Sequence, residues 1–501
     1  MILSPNLARK YWVNKMKLNK LIDCEFDLEI EKITDDSRTK GSNILFVAVK
    51  GLTVDGHTYA KKAVENGAVA LVVEHEVEGV DVPQIVVENS VKTMNDMLNR
   101  FYGDPLNRMK IIGVTGTDGK TTTSEMMYQI LNNLNLHTGY IGTNGIRSKH
   151  YTQENDYSTP LQEDLFRAFN GFLNDDVKAV SMEATGERLG TGKLEGVTFD
   201  ASIFTNLTRD ALDIFKTMEN YGAAKAKLME YTKPDGISAI NIDDKYSDLF
   251  IEKANAKVVT YAVYDKSADV YATDIKVEYN DLSFTMNGIL GTHKIHCSLS
   301  GIYNVYNIMA VIIVLNHLGY AVDTLVKAVD GLVPIEARQM VVDLGQPFKV
   351  IVDYAHTANA VKNLVEYIKS TLTDGYLRVV VGAGGSRDVA RRTDMAEYCT
   401  KAADYNYFTI EDARFEDPKM LVETMVSTVP EATNYELIVD RDEAITKAIN
   451  DAKPGDAVLI LGKGAERYLM TMGKPMPRPQ NTNDIERAEI ALKERMQKKP
   501  L

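Results

Sequence analysis

Gly113-Val-Thr-Gly-Thr-Asp-Gly-Lys-Thr-Thr-Thr123 is a glycine-rich turn between an apolar run and a helical pattern. Met109 to Val114 reads as a strand, and Met126, Met127, Ile130, Leu131 and Leu134 then recur at helical spacing. In such a turn successive backbone N–H groups face one concavity, where a helix N-terminus and a lysine add positive potential around a polyphosphate. Gly116, Thr117, Asp118, Gly119, Lys120, Thr121 and Thr122 are therefore the expected ATP phosphate site. The spacing is not that of G-x4-G-K-[ST], because position 114 is Val and Gly113 stands one residue too early.

Working outward, a chain of 501 residues exceeds one ordinary core and suggests about three domains. A net charge of −13 argues against nucleic acid as the main partner, since a phosphate backbone selects a basic face. Cys24, Cys297 and Cys399 form no C-x-x-C and no pairing framework, as in a reducing compartment. The N-terminus lacks a signal-type apolar segment, and the longest apolar run, Ile308 to Leu315, is too short to span a membrane. A cytoplasmic protein without a membrane partner is expected.

Short β-branched runs alternate with helical segments along most of the chain, which predicts an α/β architecture of mostly parallel sheets. Ile44–Val49 and Ala68–Val73 read as buried strands of a first domain, and Tyr102-Gly-Asp-Pro105 as the break that ends it. A second break falls near Gly331-Leu-Val-Pro334. Beyond it, Phe348–Asp353, Leu377–Gly382, Tyr405–Thr409 and Ala457–Gly462 read as strands ending in polar or glycine-rich loops, where doubly wound sheets hold their ligands. The expected domains are 1–105, 106–333 and 334–501.

Met182-Glu183 follows an apolar run and presents a carboxylate of the kind Mg2+ takes beside ATP. It is followed by Phe204-Thr-Asn-Leu-Thr-Arg-Asp210, Met218-Glu-Asn-Tyr-Gly-Ala-Ala-Lys225-Ala-Lys227, Asn241-Ile-Asp-Asp244 and Gly301-Ile-Tyr-Asn304-Val-Tyr-Asn307. In this order the segments resemble the Mur ligases, and within them the MurE-like branch, which adds the third residue to UDP-N-acetylmuramoyl-dipeptide. Asp36-Ser37-Arg38, Leu45–Ala48, Gly51 and Asp55-Gly56-His57 are similar to that branch's uridine-nucleotide domain. Val352-Asp353-Tyr354-Ala355-His356-Thr357, Gly384-Gly385 with Arg387-Asp388, and Gly462-Lys463-Gly464 with Glu466 are similar to its third domain.

The resemblance implies a central P-loop-type sheet flanked by a UDP-binding α/β domain and a C-terminal Rossmann-like domain. It implies ATP-driven amide synthesis through an acyl phosphate in peptidoglycan precursor synthesis, by a monomer. Lys120 and Mg2+, with Thr121 and Glu183 nearby, would stabilise charge on the transferring phosphoryl group. Lys225 matches the lysine that the family carbamylates into an anionic metal ligand. Asn304 matches the adenine contact, and Arg338 and Asp353 match other ATP contacts. Ser37, Arg38, Ser158, Thr159, Pro160 and His356 match substrate positions, and Arg392, Asp412, Arg414, Gly462 and Glu466 match the amino-acid pocket.

Several positions depart from the family. Asp210-Ala211-Leu212-Asp213 lacks the histidine of Asp-His-Leu-Asp, so water, Asp210 or Glu187 is the expected replacement for that metal ligand. Glu183-Ala-Thr-Gly-Glu187, Glu336-Ala-Arg-Gln-Met340 and Gly462-Lys-Gly-Ala465-Glu466 are altered as well. The diaminopimelate signature Asp-Asn-Pro-Arg reads Glu411-Asp412-Ala413-Arg414. The retained arginines point to an acceptor with an extra carboxylate, meso-diaminopimelate, because guanidinium pairs bidentately with carboxylate. The alternatives are a paralogous ligase for L-lysine or another amine, and a nucleotide-binding regulatory protein with impaired turnover.

Overall fold

The strand that leads into the phosphate loop, Lys110–Thr115, lies inside an eleven-stranded sheet of the computed structural model, which describes residues 15–51, 54–155, 157–278 and 280–498. Apart from Lys110 every residue of this strand is buried, the pattern of a parallel strand covered on both faces. Its neighbours are Ala179–Glu183 and Phe199–Phe204, both parallel to it. Thr138–Gly142 lies beyond the first, and Thr232–Asn241, Lys257–Ala262 and Val270–Glu278 continue beyond the second, again parallel. The sheet ends in antiparallel strands on both sides.

The helices Lys120–Asn133 and Tyr303–His317 share one core with the sheet. Tyr303–His317 is buried almost all round, so its apolar run is a core helix. Among the described residues no helix is long and apolar enough to cross a membrane. On the other face Gln162–Asn174 and Met218–Glu230 pack into a core that runs without interruption into the first domain, through Leu18, Leu45, Met94 and Leu98. The first domain carries four parallel strands in the order Lys32–Thr34, Ile44–Val47, Ala68–Val73 and Gln84–Val86.

After Pro334 a six-stranded sheet runs Met340–Val341, Lys349–Asp353, Ala457–Leu461, Leu377–Gly384, Tyr405–Asp412 and Tyr435–Leu437. Only Met340–Val341 is antiparallel to its neighbour. A hairpin, Tyr468–Thr471 with Lys474–Pro477, and the last helix, Asp484–Lys498, complete this part. The carboxyl ends of its central strands and the phosphate loop open onto one shared cleft.

Candidate active site

The phosphate loop is built by backbone that only glycine adopts freely. Gly116 has φ +150°, and a Cβ there would sit 1.9 Å from Thr205 Oγ1. Gly119, at φ +85°, starts the helix Lys120–Asn133 and leaves its first N–H groups facing the cleft. The end of the strand Phe199–Phe204 anchors the loop. Thr117 N donates to Asn206 O at 2.8 Å, Asp118 N to Asn206 Oδ1 at 2.9 Å, and Thr205 Oγ1 to Asp118 O at 2.7 Å. Lys120 Nζ donates to Gly116 O at 3.0 Å and Thr117 O at 2.7 Å. The cleft has a volume of about 1270 Å³ and is lined by Thr117 to Thr122, while Gly116 turns its carbonyl inward beneath them.

Glu183 ends its strand at 1 % exposure, accepting from Thr143 N at 2.7 Å, Tyr140 Oη at 3.1 Å and Thr143 Oγ1 at 3.3 Å. Thr121 Oγ1 lies 3.3 Å from the Thr143 hydroxyl, so Thr143 ties helix start and carboxylate together. Among the described residues Glu183 has no ion-pair partner, although its carboxyl is buried. Lys225 is also 1 % exposed and, among the described residues, pairs with no carboxylate; its Nζ donates to Gly116 O at 2.6 Å and sits 4.5 Å from the Tyr221 ring centre. Burial, with the Lys120 ammonium adding to it, pushes the Lys225 ammonium well below its ordinary pKa. No group of three or more His, Cys, Asp or Glu side chains among the described residues forms a metal cage. A hydroxyl, a lone buried carboxylate and substrate phosphates are the donor set that suits Mg2+, which keeps several waters.

Across the cleft Asn304 donates to Ser300 O at 2.7 Å and accepts from Asn307 Nδ2 at 3.1 Å, while Asn307 Oδ1 accepts from Thr123 Oγ1 at 3.0 Å. Asparagine and phosphate loop are thereby held in one register. Arg338 lies over Tyr354 at 4.7 Å. Asp353 accepts from Gln339 N at 2.7 Å and Ala355 N at 2.6 Å, and burial raises its pKa.

The third sheet contributes Asp412, Arg414, Glu466 and His356 to the same cleft. Arg414 has φ +52° and is held by the hairpin: its N–H donates to Met470 O at 2.7 Å, and its carbonyl accepts from Met472 N at 2.5 Å. Its guanidinium has no ion-pair partner among the described residues, and its Nε is buried without a hydrogen bond. Asp412 makes no ion pair with it; Asp412 Oδ1 instead accepts from Lys463 Nζ at 2.9 Å and from Met470 N at 2.8 Å. Lys463 also pairs with Glu466, which accepts from Tyr354 Oη at 2.8 Å. His356 Nδ1 lies 3.1 Å from Tyr354 O, and burial, with Arg391 adding to it, lowers the imidazole pKa to about 4. Burial would raise the neighbouring Asp210, but Arg391, His356 and Lys120 outweigh it and hold the carboxyl below its usual range.

Arg392 stands apart from the cleft residues. That side chain is 2 % exposed and does not line the cleft, because Glu416 takes it in two hydrogen bonds of 2.8 and 2.6 Å. Arg387 and Arg391 reach the cleft instead, held by Asp213 at 3.1 Å and Glu411 at 3.2 Å. Gly462 lies behind Glu411, at φ +115°. Of the Ser158-Thr159-Pro160 turn only Ser158 faces the cleft; Thr159 Oγ1 donates to Glu183 O at 2.9 Å and accepts from Thr185 N at 3.0 Å, stapling the strand end. Ser37 and Arg38 lie outside the cleft on the first domain, with Arg38 folded onto Asp36 at 2.9 Å. Thr143, Tyr221 and Arg391 escaped the sequence reading because a lone hydroxyl or arginine carries no spacing signal.

Three family models match the chain in order: "Mur ligase family, catalytic domain" over residues 29–102, "Mur ligase middle domain" over 114–315, and "Mur ligase, glutamate ligase domain" over 337–464. A curated relative from Bacillus velezensis, a UDP-N-acetylmuramoyl-L-alanyl-D-glutamate–2,6-diaminopimelate ligase, is 39% identical over 93% of this chain and 94% of its own. The chain belongs to the Mur ligase family. A relative of the same name from Bacillus licheniformis is 36% identical over 95% of this Mur ligase and 98% of its own length. A solved structure of that name superposes with a TM-score of 0.66 at 26% identity, covering 96% of this chain and 99% of the other. MurF ligase from Thermotoga maritima shares the fold at 18% identity, with a TM-score of 0.61 over 93% and 98% of the two chains.

The altered positions of this Mur ligase fall unevenly. Ala211 lines the cleft in left-handed backbone, φ +55°, beside the short helix Leu212–Phe215. Glu187 also lines the cleft, in the first turn of Gly186–Gly190, 3.6 Å from its neighbour Arg188. Ala465 instead packs against the third domain's core.

Proposed function

We propose that the chain is an ATP-dependent ligase that joins meso-diaminopimelate to UDP-N-acetylmuramoyl-L-alanyl-D-glutamate in peptidoglycan precursor synthesis. It acts as a cytoplasmic monomer. Residues 1–105 hold the uridine nucleotide, 106–333 hold ATP, and 334–501 hold the incoming amino acid. The names of the curated relatives support the two substrates.

The substrate carboxylate oxygen bonds to the γ-phosphorus of ATP as the bond to ADP breaks. The amine of the amino acid then bonds to the acyl carbon, phosphate leaves, and the amine gives up a proton. Lys120 and the N-terminus of the helix Lys120–Asn133 favour charge on the phosphoryl oxygens. When bound, Mg2+ would neutralise phosphate charge, with Thr121, Glu183 and a carbamylated Lys225 to hold it. A Lys225 amine, whose hold on a proton burial weakens, can when deprotonated bond to the carbon of CO2 and release a proton, becoming an anion. Asn304, Arg338 and Asp353 orient the nucleotide.

The observation that carries the acceptor reading is the unpaired Arg414 guanidinium, facing the same cleft as the phosphate loop while Lys463 occupies Asp412. A distal carboxylate on the acceptor would satisfy it. Losing such a charge-assisted pair costs about 1.5–3 kcal/mol, so Arg414→Ala is expected to raise the KM for diaminopimelate by roughly 10-fold or more. L-lysine should gain relative to it. A wild type that prefers lysine, with neither amine affected by the substitution, would make Arg414 a structural residue.

A further inference from the structure

The third domain buries a charge cluster that has no part in the chemistry above. Asp484, 0 % exposed at the start of the last helix, accepts from Arg441 Nε at 2.9 Å, Arg441 Nη2 at 2.6 Å and Arg478 Nη1 at 2.6 Å. Arg478 reaches on to Asp442. Taking such charges out of water is costly, and a well-packed apolar cluster often gives equal or greater stability, so their placement calls for another reason.

The remaining hydrogen bonds supply it. Arg441 Nη2 donates to Leu461 O at 2.7 Å and Nη1 to Ile410 O at 3.4 Å. These carbonyls stand at the carboxyl ends of the two strands that lead into Glu411-Asp412 and Gly462-Lys463. Asp484 Oδ2 accepts from Gly464 N at 3.1 Å, and Asp484 N donates back to Gly464 O at 3.1 Å. Gly464 lies between Glu466 and Lys463, whose ammonium pairs with both Glu466 and Asp412.

We infer that Asp484, with Arg441, is a positioning residue for the amino-acid acceptor: it fixes the Gly462–Glu466 turn against the Glu411–Arg414 turn and so sets acceptor affinity from outside the cleft. The inference rests on the acceptor reading proposed above. Asp484→Asn is expected to raise the KM for the acceptor by about 10-fold with the KM for ATP within about 2-fold, because small misplacements near reacting groups are felt strongly. Asp484→Glu keeps the charge balance if the first variant fails to fold, and should move the same constant in the same direction. Hydrogen exchange of the intact enzyme should show protection lost in 462–468 and kept in 116–123. A variant with a lowered unfolding temperature but unchanged acceptor KM, or with both KM values raised alike, would overturn the inference. If wild type uses another amine, the diaminopimelate reading fails, and the same split measured with that amine still decides the role of Asp484.

Discussion

The role proposed for Lys225 rests on burial rather than on a neighbour that attracts its proton. Its pKa lies below the ordinary lysine value, so acidification charges the unfolded chain before the folded one. The neutral amine persists as pH falls, until the depressed folded-state value is crossed. With 13C-bicarbonate, a carbamate resonance is expected at neutral to mildly alkaline pH, lost on acidification and absent from Lys225→Arg. A wild-type spectrum lacking it under these conditions would remove the anionic ligand from the mechanism. Lys120 differs, since it lines the cleft and bonds only to carbonyls of its own loop. Lys120→Ala should abolish ADP formation while the unfolding temperature stays within about 2 °C, as for a residue outside the core. That the phosphate loop, Glu183 and Lys225 share one cleft was foreshadowed in the sequence, because residue type and order carry that signal. The pairing that holds Arg392 outside the cleft could not be read, because its partner Glu416 lies in a loop with no pattern of its own.

At the level of elements, the phosphate loop depends on one close approach more than on glycine content. Gly116→Ala would drive a methyl into Thr205 Oγ1, whose hydrogen bond to Asp118 O holds the loop. Gly119→Ala meets Asn307 Oδ1 at 3.2 Å and Thr205 at an ordinary 3.8 Å, and adds the usual cost of left-handed backbone, about 1 kcal/mol. Thermal unfolding should therefore show a larger loss for Gly116→Ala, together with loss of stabilisation by ATP; equal losses would mean the loop can shift away from Thr205. Buried parallel strands such as Lys110–Thr115 and Ala457–Leu461 were legible as apolar runs. The arm Val270–Glu278, Asp281–Gly288 and His293–Cys297 was not, because its alternating, half-exposed residues lack such a run and its role is to extend a sheet begun elsewhere.

Across the whole molecule the site exists only while the central and third domains face each other. Arg209 and Asp388 meet at 2.6 Å, Arg387 and Asp213 at 3.1 Å, and Thr357 donates to Asp118 at 2.9 Å. Arg209 is half exposed, so Arg209→Ala should cost well under about 1 kcal/mol of folding stability. The same variant should lower kcat/KM several-fold through poorer domain alignment, more so at low salt; unchanged kinetics would make this pair incidental. Alternating strands and helices revealed three α/β domains, whereas the distances between domains depend on contacts hundreds of residues apart. The central claim, ATP-driven joining of an acid to a diacid amine in this cleft, is tested most directly by measuring ADP release with UDP-N-acetylmuramoyl-L-alanyl-D-glutamate and meso-diaminopimelate together, product mass being read in parallel. The account predicts ADP and a UDP-linked tripeptide in equal amounts, requiring all three substrates. ADP release that needs no amine, or a complete mixture that yields no tripeptide, would contradict it.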